Sequence, residues 1–142
     1  SHCLLIDEFI AREADAGCID ADCFTREARS VHVHGHCHQK AMGVAQYTVD
    51  AVKSVLGANA QMIDSSCCGM AGSFGYQIET AEVSRQMAEL SLAPTVRAAP
   101  TDTIVLADGF SCRCQIKDVT ERKAMNLALL MDKALQDHVT NY

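Results

Sequence analysis

No stretch of this sequence is apolar for long enough to cross a bilayer: its hydrophobic runs are strand-sized or broken into amphipathic patterns, short of the ~20 residues a spanning helix needs. It also lacks a surplus of basic residues. With 12 Lys and Arg against 18 Asp and Glu, the formal charge is -6; a surface that tracks phosphates normally rests on a basic excess, so no nucleic-acid partner is expected. No signal peptide is recognisable, and the helical segments supply a core. The eight cysteines therefore do not read as a secreted disulfide scaffold, and metal or redox use in a reducing compartment is expected. Internal repeats, low-complexity tracts and long linkers are missing too, and 142 residues with 49% hydrophobic side chains suit one domain over 1–142 with a single core.

Ser1 and His2 run into Leu4-Leu5-Ile6-Asp7-Glu8-Phe9 without an initiator methionine. The expectation is that the first two residues are a cloning remnant and that the chain is a piece of a longer polypeptide.

Leu5, Phe9 and Ile10 among charged residues predict a first helix over about residues 3 to 14, ended by Gly17. Cys18 to Ser30 reads as polar and irregular. Val31-His32-Val33-His34 alternates like a strand, and Ala41, Val44, Thr48, Ala51, Val52 and Val55 recur at helical spacing up to Gly57. Ala60 to Asp64 reads as a second strand. A glycine-rich loop, Gly69 to Gly75, then opens a helix carrying Val83, Met87 and Leu90, stopped near Pro94 or Pro100. Thr103 to Ala107 is the third strand, and Leu127, Leu130, Met131 and Leu135 mark a last amphipathic helix. Alternating strands and helices predict an α/β fold, a parallel sheet with helices on both faces in a three-layer, Rossmann-like arrangement.

Several chemistries have no support. The Gly69 to Gly75 loop resembles a phosphate cradle but has neither the P-loop lysine nor a dinucleotide fingerprint with its downstream carboxylate. No Ser-His-Asp order or carboxylate pair stands out, and Asp64 and Asp108, at strand ends, read as loop caps.

Sulfur is where the sequence concentrates its chemistry. Cys37, the pair Cys67 and Cys68, and Cys112 each follow a predicted strand, and loops leaving the carboxyl ends of parallel strands share one edge. Soft thiolates gathered there suit a metal or a redox centre. Lys40 and helix amides are expected to lower the Cys37 thiol pKa, while Gly69 and Gly72 are expected to let the backbone approach a bulky inorganic group. Cys114 is a further candidate in a C-x-C spacing. Cys3, Cys18 and Cys23 have no converging partner and read as small buried hydrophobes.

His32, His34, His36 and His38 share one parity and could form a ladder for zinc or a similar ion. His32 and His34 read instead as histidines under a helix, hydrogen-bonded to carbonyls. His36 and His38, flanking Cys37, are the better metal-site candidates, as supporting donors or as substitutes for a thiolate.

His36-Cys37-His38, Cys67-Cys68-Gly69 and Gly109-Phe110-Ser111-Cys112-Arg113-Cys114-Gln115-Ile116 together resemble the cysteine-rich CCG domain. This domain occurs in heterodisulfide reductase subunits, in iron-sulfur subunits of glycolate and lactate oxidases, and at the C-terminus of fused FAD-linked oxidases. The resemblance covers about residues 31 to 118. It implies an iron-sulfur centre, in some members a noncubane [4Fe-4S] cluster, passing electrons from a flavin or to a disulfide or quinone acceptor. Cys37, Cys67, Cys68 and Cys112 match the first four cysteines of the pattern. The fullest pattern ends in C-x-x-C, whereas Cys112-Arg113-Cys114 followed by Gln115-Ile116 fits the oxidase forms better. The runs His34-Gly35-His36-Cys37-His38-Gln39-Lys40-Ala41 and Asp108-Gly109-Phe110-Ser111-Cys112-Arg113 make the resemblance strongest to the fused oxidases. There, a flavin domain would oxidise a 2-hydroxy acid such as lactate or glycolate and a ferredoxin-like segment would carry further clusters.

The chain is thus expected to be the terminal electron-transfer domain of such a dehydrogenase. FAD would sit on another part of the polypeptide, and flavin and ferredoxin-like domains would be the partners. A zinc-binding structural module and a metal-free thiol-disulfide domain are the alternatives. The expected location is cytoplasmic, or peripheral to the inner face of the membrane.

Overall fold

Four strands, Val31–His34 (β1), Ala60–Met62 (β2), Ile104–Ala107 (β3) and Ala124–Met125 (β4), form one all-parallel sheet in the order β2-β1-β3-β4. They belong to a computed structural model that describes residues 3–135, so Ser1 and His2 lie outside the described residues. Every residue of β3 is buried, as a central parallel strand covered on both faces must be. Its side chains divide by parity. Ile104 and Leu106 join Val31 and Val33 in one apolar cluster, while Val105 and Ala107 join Ile63 and Ile116 in another.

Among the described residues, seven helices supply the covering layers: Ile6–Asp15 (α1), Cys37–Ala41 (α2), Gln46–Leu56 (α3), Ala81–Glu89 (α4), Leu92–Ala98 (α5), Phe110–Thr120 (α6) and Leu127–Ala134 (α7). Ala11 of α1, Val49 and Val52 of α3 and Leu127 and Leu130 of α7 pack on the first cluster. Leu92 and Val96 of α5 and Cys112 and Ile116 of α6 pack on the second. The fold is α/β with helices on both faces. Among the described residues, no helix is long and apolar enough to cross a membrane.

The strand order positions the site. From β1 the chain moves outward to β2, then crosses back over β1 to β3, so the connections diverge between β1 and β3. His34 pairs with Ala107, which ends the two strands level and starts their loops side by side. In open α/β sheets that crevice, at the carboxyl ends, is where ligands bind.

Local chemistry changes several predicted boundaries. The single helix expected from Ala41 to Val55 is two, because Gly43 sits at φ +70. Its N–H donates to Lys40 O and that of Val44 to Gln39 O, the paired bonds of a Schellman ending. The glycine-rich loop makes only a 3₁₀ turn, Phe74–Tyr76, and α4 starts later, at Ala81. Val83 and Leu90 are exposed, and Ser84 and Ala88 are the buried residues of α4. Pro94 lies in the first turn of α5 rather than beyond a helix, where its missing N–H has no intrahelical partner to lose. The short β4 is a strand the sequence reading lacked.

His32 and His34 point to the second cluster's side, as their parity predicted, but their partners are side chains rather than carbonyls: Gln61 for His32 and Ser65 for His34. Burial, and then the charge of Arg122, hold His32 below its ordinary pKa. The unfolded chain, whose histidines titrate near ~6.5, then binds more protons below that pH than the folded chain does. The stability His32 contributes is fully present above that pH and is lost as the pH falls through its folded value. Urea midpoints are expected to drop from about pH 7 to about pH 5, with a shallower slope in His32→Gln. An unchanged slope in the variant would assign the loss to other groups.

Candidate metal centre

Beneath the edge of the sheet lies a buried polar network that fixes where Cys37 stands. His36 caps α2: its Nδ1 accepts from the His38 N–H at 3.3 Å, and its own N–H donates to Gln39 Oε1 at 2.8 Å. The buried Gln39 amide points the other way, donating to Asp7 Oδ2 at 2.7 Å, Asp108 Oδ2 at 3.0 Å and Thr48 Oγ1 at 3.3 Å. Thr48 also donates to Asp7, at 2.7 Å. Asp108 Oδ1 accepts from the Leu127 N–H at 2.9 Å, so its carboxylate reaches the first residue of α7 rather than capping its own loop as expected. One amide thereby ties α1, α2, α3 and the loop after β3 together. Asp7 and Gln39 escaped the sequence reading because nothing in their spacing separates them from surface polar residues.

The sulfurs arrive from beyond the carboxyl ends of three strands. Cys37 opens α2 after β1, and its Sγ lies 3.6 Å from that of Cys67, in the loop after β2. That is too long for a disulfide, with its S–S bond of about 2.05 Å. It is close to the roughly 3.8 Å between two thiolates bound at about 2.3 Å to one tetrahedral metal. Cys67 Sγ also accepts the Gly69 N–H at 3.3 Å. Deeper in, Cys68 and Cys112 are 3% and 1% exposed. Their sulfurs and a ring nitrogen of His34, itself 1% exposed, all lie within 4.8 Å of one another.

Electrostatics join the two pairs. A hydrogen bond from Cys112 outweighs burial and, with help from His34 and the Met70 N–H, pulls the Cys68 thiol well below its ordinary pKa. The same contact, together with burial, pushes Cys112 up, and the charges of Cys37 and Cys67 add to it. The two buried thiols therefore titrate as a pair, with the same contact pulling Cys68 down and pushing Cys112 up. Cys37 is raised as well, by burial first and then by Cys67 and Cys68. This corrects the expectation for Lys40, whose charge opposes the rise but is the smallest contribution. Lys40 instead straps the sulfur loop, its ammonium donating to Ser65 O and, at 3.0 Å, to Ser66 O.

The remaining candidates fall around this centre. His36 is half-buried beside Gly109, where an added Cβ would come within 2.4 Å of its Cδ2 and 2.9 Å of Cys112 Sγ. His38 is exposed and stacks edge-on against His36 at 4.9 Å. Cys114, two residues beyond Cys112 on α6, turns to another face and lines a separate recess with Arg113, Lys117 and Lys123. Gly72 is exposed, with nothing within 4 Å of the place a Cβ would take. Gly69 does admit a close approach, but the group approaching is the Ser84 carbonyl of α4, 2.1 Å from where its Cβ would be. Cys3, Cys18 and Cys23 are exposed rather than buried; around the last two it is the neighbours Ile19 and Phe24 that pack on the first apolar cluster. His34 is the participant the sequence reading set aside.

The residues present suit a sulfur-bound metal group. Four thiols stand in two close pairs without forming disulfides, the Cys68 thiol is pulled down by its buried surroundings, and the Nε2 of buried His34 has no hydrogen-bond partner among the described residues.

Among known proteins, the chain is 29% identical over 104 residues to a subunit of the anaerobic glycerol-3-phosphate dehydrogenase of Escherichia coli, a match covering 72% of this chain and 25% of that protein. It is 34% identical over 95 residues to D-2-hydroxyglutarate dehydrogenase of Pseudomonas putida, covering 66% of this chain and 9% of that one. The Escherichia coli D-2-hydroxyglutarate dehydrogenase gives 33% over 96 residues, 67% of this chain and 9% of the enzyme. The chain thus spans a quarter or less of the length of these relatives. No family profile and no solved structure matches it.

Proposed function

We propose that this chain is an iron-sulfur electron-transfer domain of the CCG type, serving an FAD-linked dehydrogenase of 2-hydroxy acids, with Cys37, Cys67, Cys68 and Cys112 as the cluster ligands. The observation that carries the proposal is the placing of these four thiols as two close pairs, Cys37 with Cys67 and Cys68 with Cys112, at the carboxyl edge where the sheet's connections diverge. Similarity to part of one dehydrogenase assembly and to a small stretch of another dehydrogenase supports the reading. A cluster of the [4Fe-4S] type, when bound, supplies one-electron steps between a flavin and an acceptor, a quinone among the candidates.

The chain's own contribution is to hold and tune that group. Cys68 and Cys112 are sealed in the second apolar cluster, while Cys37 and Cys67 are half-buried and face outward. The Gly69 N–H on Cys67 withdraws charge from a thiolate, a contact that raises a cluster's potential. A mostly apolar recess of about 290 Å³ opens between Ile6, His36, His38 and Gly109, and Ile6 and Phe110 are exposed. Flavin and ferredoxin-like domains of the same polypeptide are the partners proposed to cover this rim. They would carry the FAD and the hydroxy-acid chemistry, and the domain by itself is expected not to turn over substrate.

Anaerobic reconstitution with ferrous iron and sulfide tests the proposal. The expected result is stoichiometric uptake of both, with broad visible absorption that bleaches on reduction. Zinc bound at one per chain in place of iron and sulfide would replace this reading with a closed zinc site.

A further inference from the structure

His34 stands at the bottom of the sulfur site with one ring nitrogen committed and the other free. Its Nδ1 is 2.8 Å from Ser65 Oγ, which fixes the ring, while Nε2 is buried without a hydrogen-bond partner among the described residues. An unpartnered polar nitrogen at 1% exposure is costly unless something else engages it. Two sulfurs able to do so stand close to the ring: a ring nitrogen of His34 lies within 4.8 Å of both Cys68 and Cys112 Sγ. A second-nitrogen hydrogen bond that sets tautomer and orientation is the usual support of a ligating imidazole, here given by Ser65. Lys40 reinforces it by gripping the Ser65 carbonyl.

We propose that His34 Nε2 is itself a ligand of the metal group held by Cys68 and Cys112, making the site a mixed nitrogen and sulfur centre rather than an all-cysteine one. This rests on the iron-sulfur reading above. Three strictly buried donors, His34 from β1, Cys68 from the loop after β2 and Cys112 from α6, would form its inner wall, and Cys37 with Cys67 its outer one. A neutral imidazole brings one negative charge less than a thiolate. The bound group therefore accepts an electron more readily than it would with sulfur alone, as when histidines replace cysteines on an iron-sulfur centre.

The test uses the whole 142-residue chain, labelled with ¹⁵N-histidine, reconstituted anaerobically with ferrous iron and sulfide and poised in its paramagnetic state. Pulsed electron paramagnetic resonance is expected to show a strong nitrogen coupling that changes with the isotope. His34→Cys, which keeps a donor at the position, should retain iron and sulfide, lose that coupling and titrate at a lower potential. His34→Gln should release iron to a chelator at least ~10-fold faster. His36→Gln and His38→Gln should keep the coupling. A loaded wild-type chain without histidine coupling overturns the inference, as does a coupling that disappears in His36→Gln or His38→Gln. Those arms decide the matter even if no His34 variant folds. A wild-type chain that takes up no iron or sulfide is a different result, since it removes the cluster reading and this ligand with it.

Discussion

Gly69→Ala is expected to destabilise the metal-free protein by about 3 kcal/mol, whereas Gly72→Ala, three residues on, should cost about 1 kcal/mol. Both glycines have positive φ, +90 and +69, so each substitution carries backbone strain. They differ in what surrounds them. Around Gly72 there is nothing within 4 Å, and only the strain is felt. A Cβ on Gly69 would lie 2.1 Å from the Ser84 carbonyl oxygen and 3.2 Å from its Cα, and backbone of α4 cannot swing aside as a flexible side chain would. Ser84 is moreover fixed from the other side, its carbonyl and hydroxyl accepting from the buried Gln115 amide at 3.1 and 3.0 Å. The loop must therefore leave α4, taking the Gly69 N–H off Cys67 and shifting Cys68. Urea denaturation of the two variants measures the difference, and metal loading should fall in Gly69→Ala alone. Equal destabilisation of both would mean that backbone strain, not the approach of α4, is what Gly69 relieves.

This pair also shows what the sequence could and could not reveal. That Cys67-Cys68-Gly69 needs a glycine was legible; that the glycine answers to a helix fifteen residues further along was not, because local sequence carries no record of which backbone comes near. Strand β1 was readable from the alternation of Val and His, and β3 from a β-branched run closed by turn residues, and from them the shared edge of Cys37 and Cys112 followed. The two-residue β4 was not, since Ala124 and Met125 form too short a run to show a period. Gly43 sits inside a helical pattern in the sequence, yet a single glycine with a left-handed φ suffices to end α2. His34 illustrates the deepest limit. Parity put it on the correct side of the sheet, but parity is the same for a satisfied core histidine and for one with a free nitrogen. The difference lies in Ser65 and in the two sulfurs, which reach it from 31 to 78 residues away in sequence.

Cys68→Ala and Cys112→Ala are each expected to abolish iron and sulfide retention in the reconstituted chain, while Cys114→Ala leaves it intact. Both ligand substitutions remove one sulfur from an apolar surround that includes Leu92, Val105 and Ile116. The stability cost should stay near ~1 kcal/mol, that of a small cavity, so folded protein remains to be measured. Loss of either member also removes the contact that pulls Cys68 down and pushes Cys112 up, and the remaining sulfur should revert toward an ordinary buried thiol, unreactive to alkylation near neutral pH. Cys114 shares the C-x-C spacing but faces Arg113, Lys117 and Lys123 on another side of α6, and its removal touches no donor of the inner wall. Iron and acid-labile sulfide analysis after anaerobic desalting, with circular dichroism to confirm folding, separates the outcomes. Full retention in Cys112→Ala would sink the four-cysteine ligand set. Loss in Cys114→Ala would show instead that α6 turns to bring its second sulfur inward when the metal group binds.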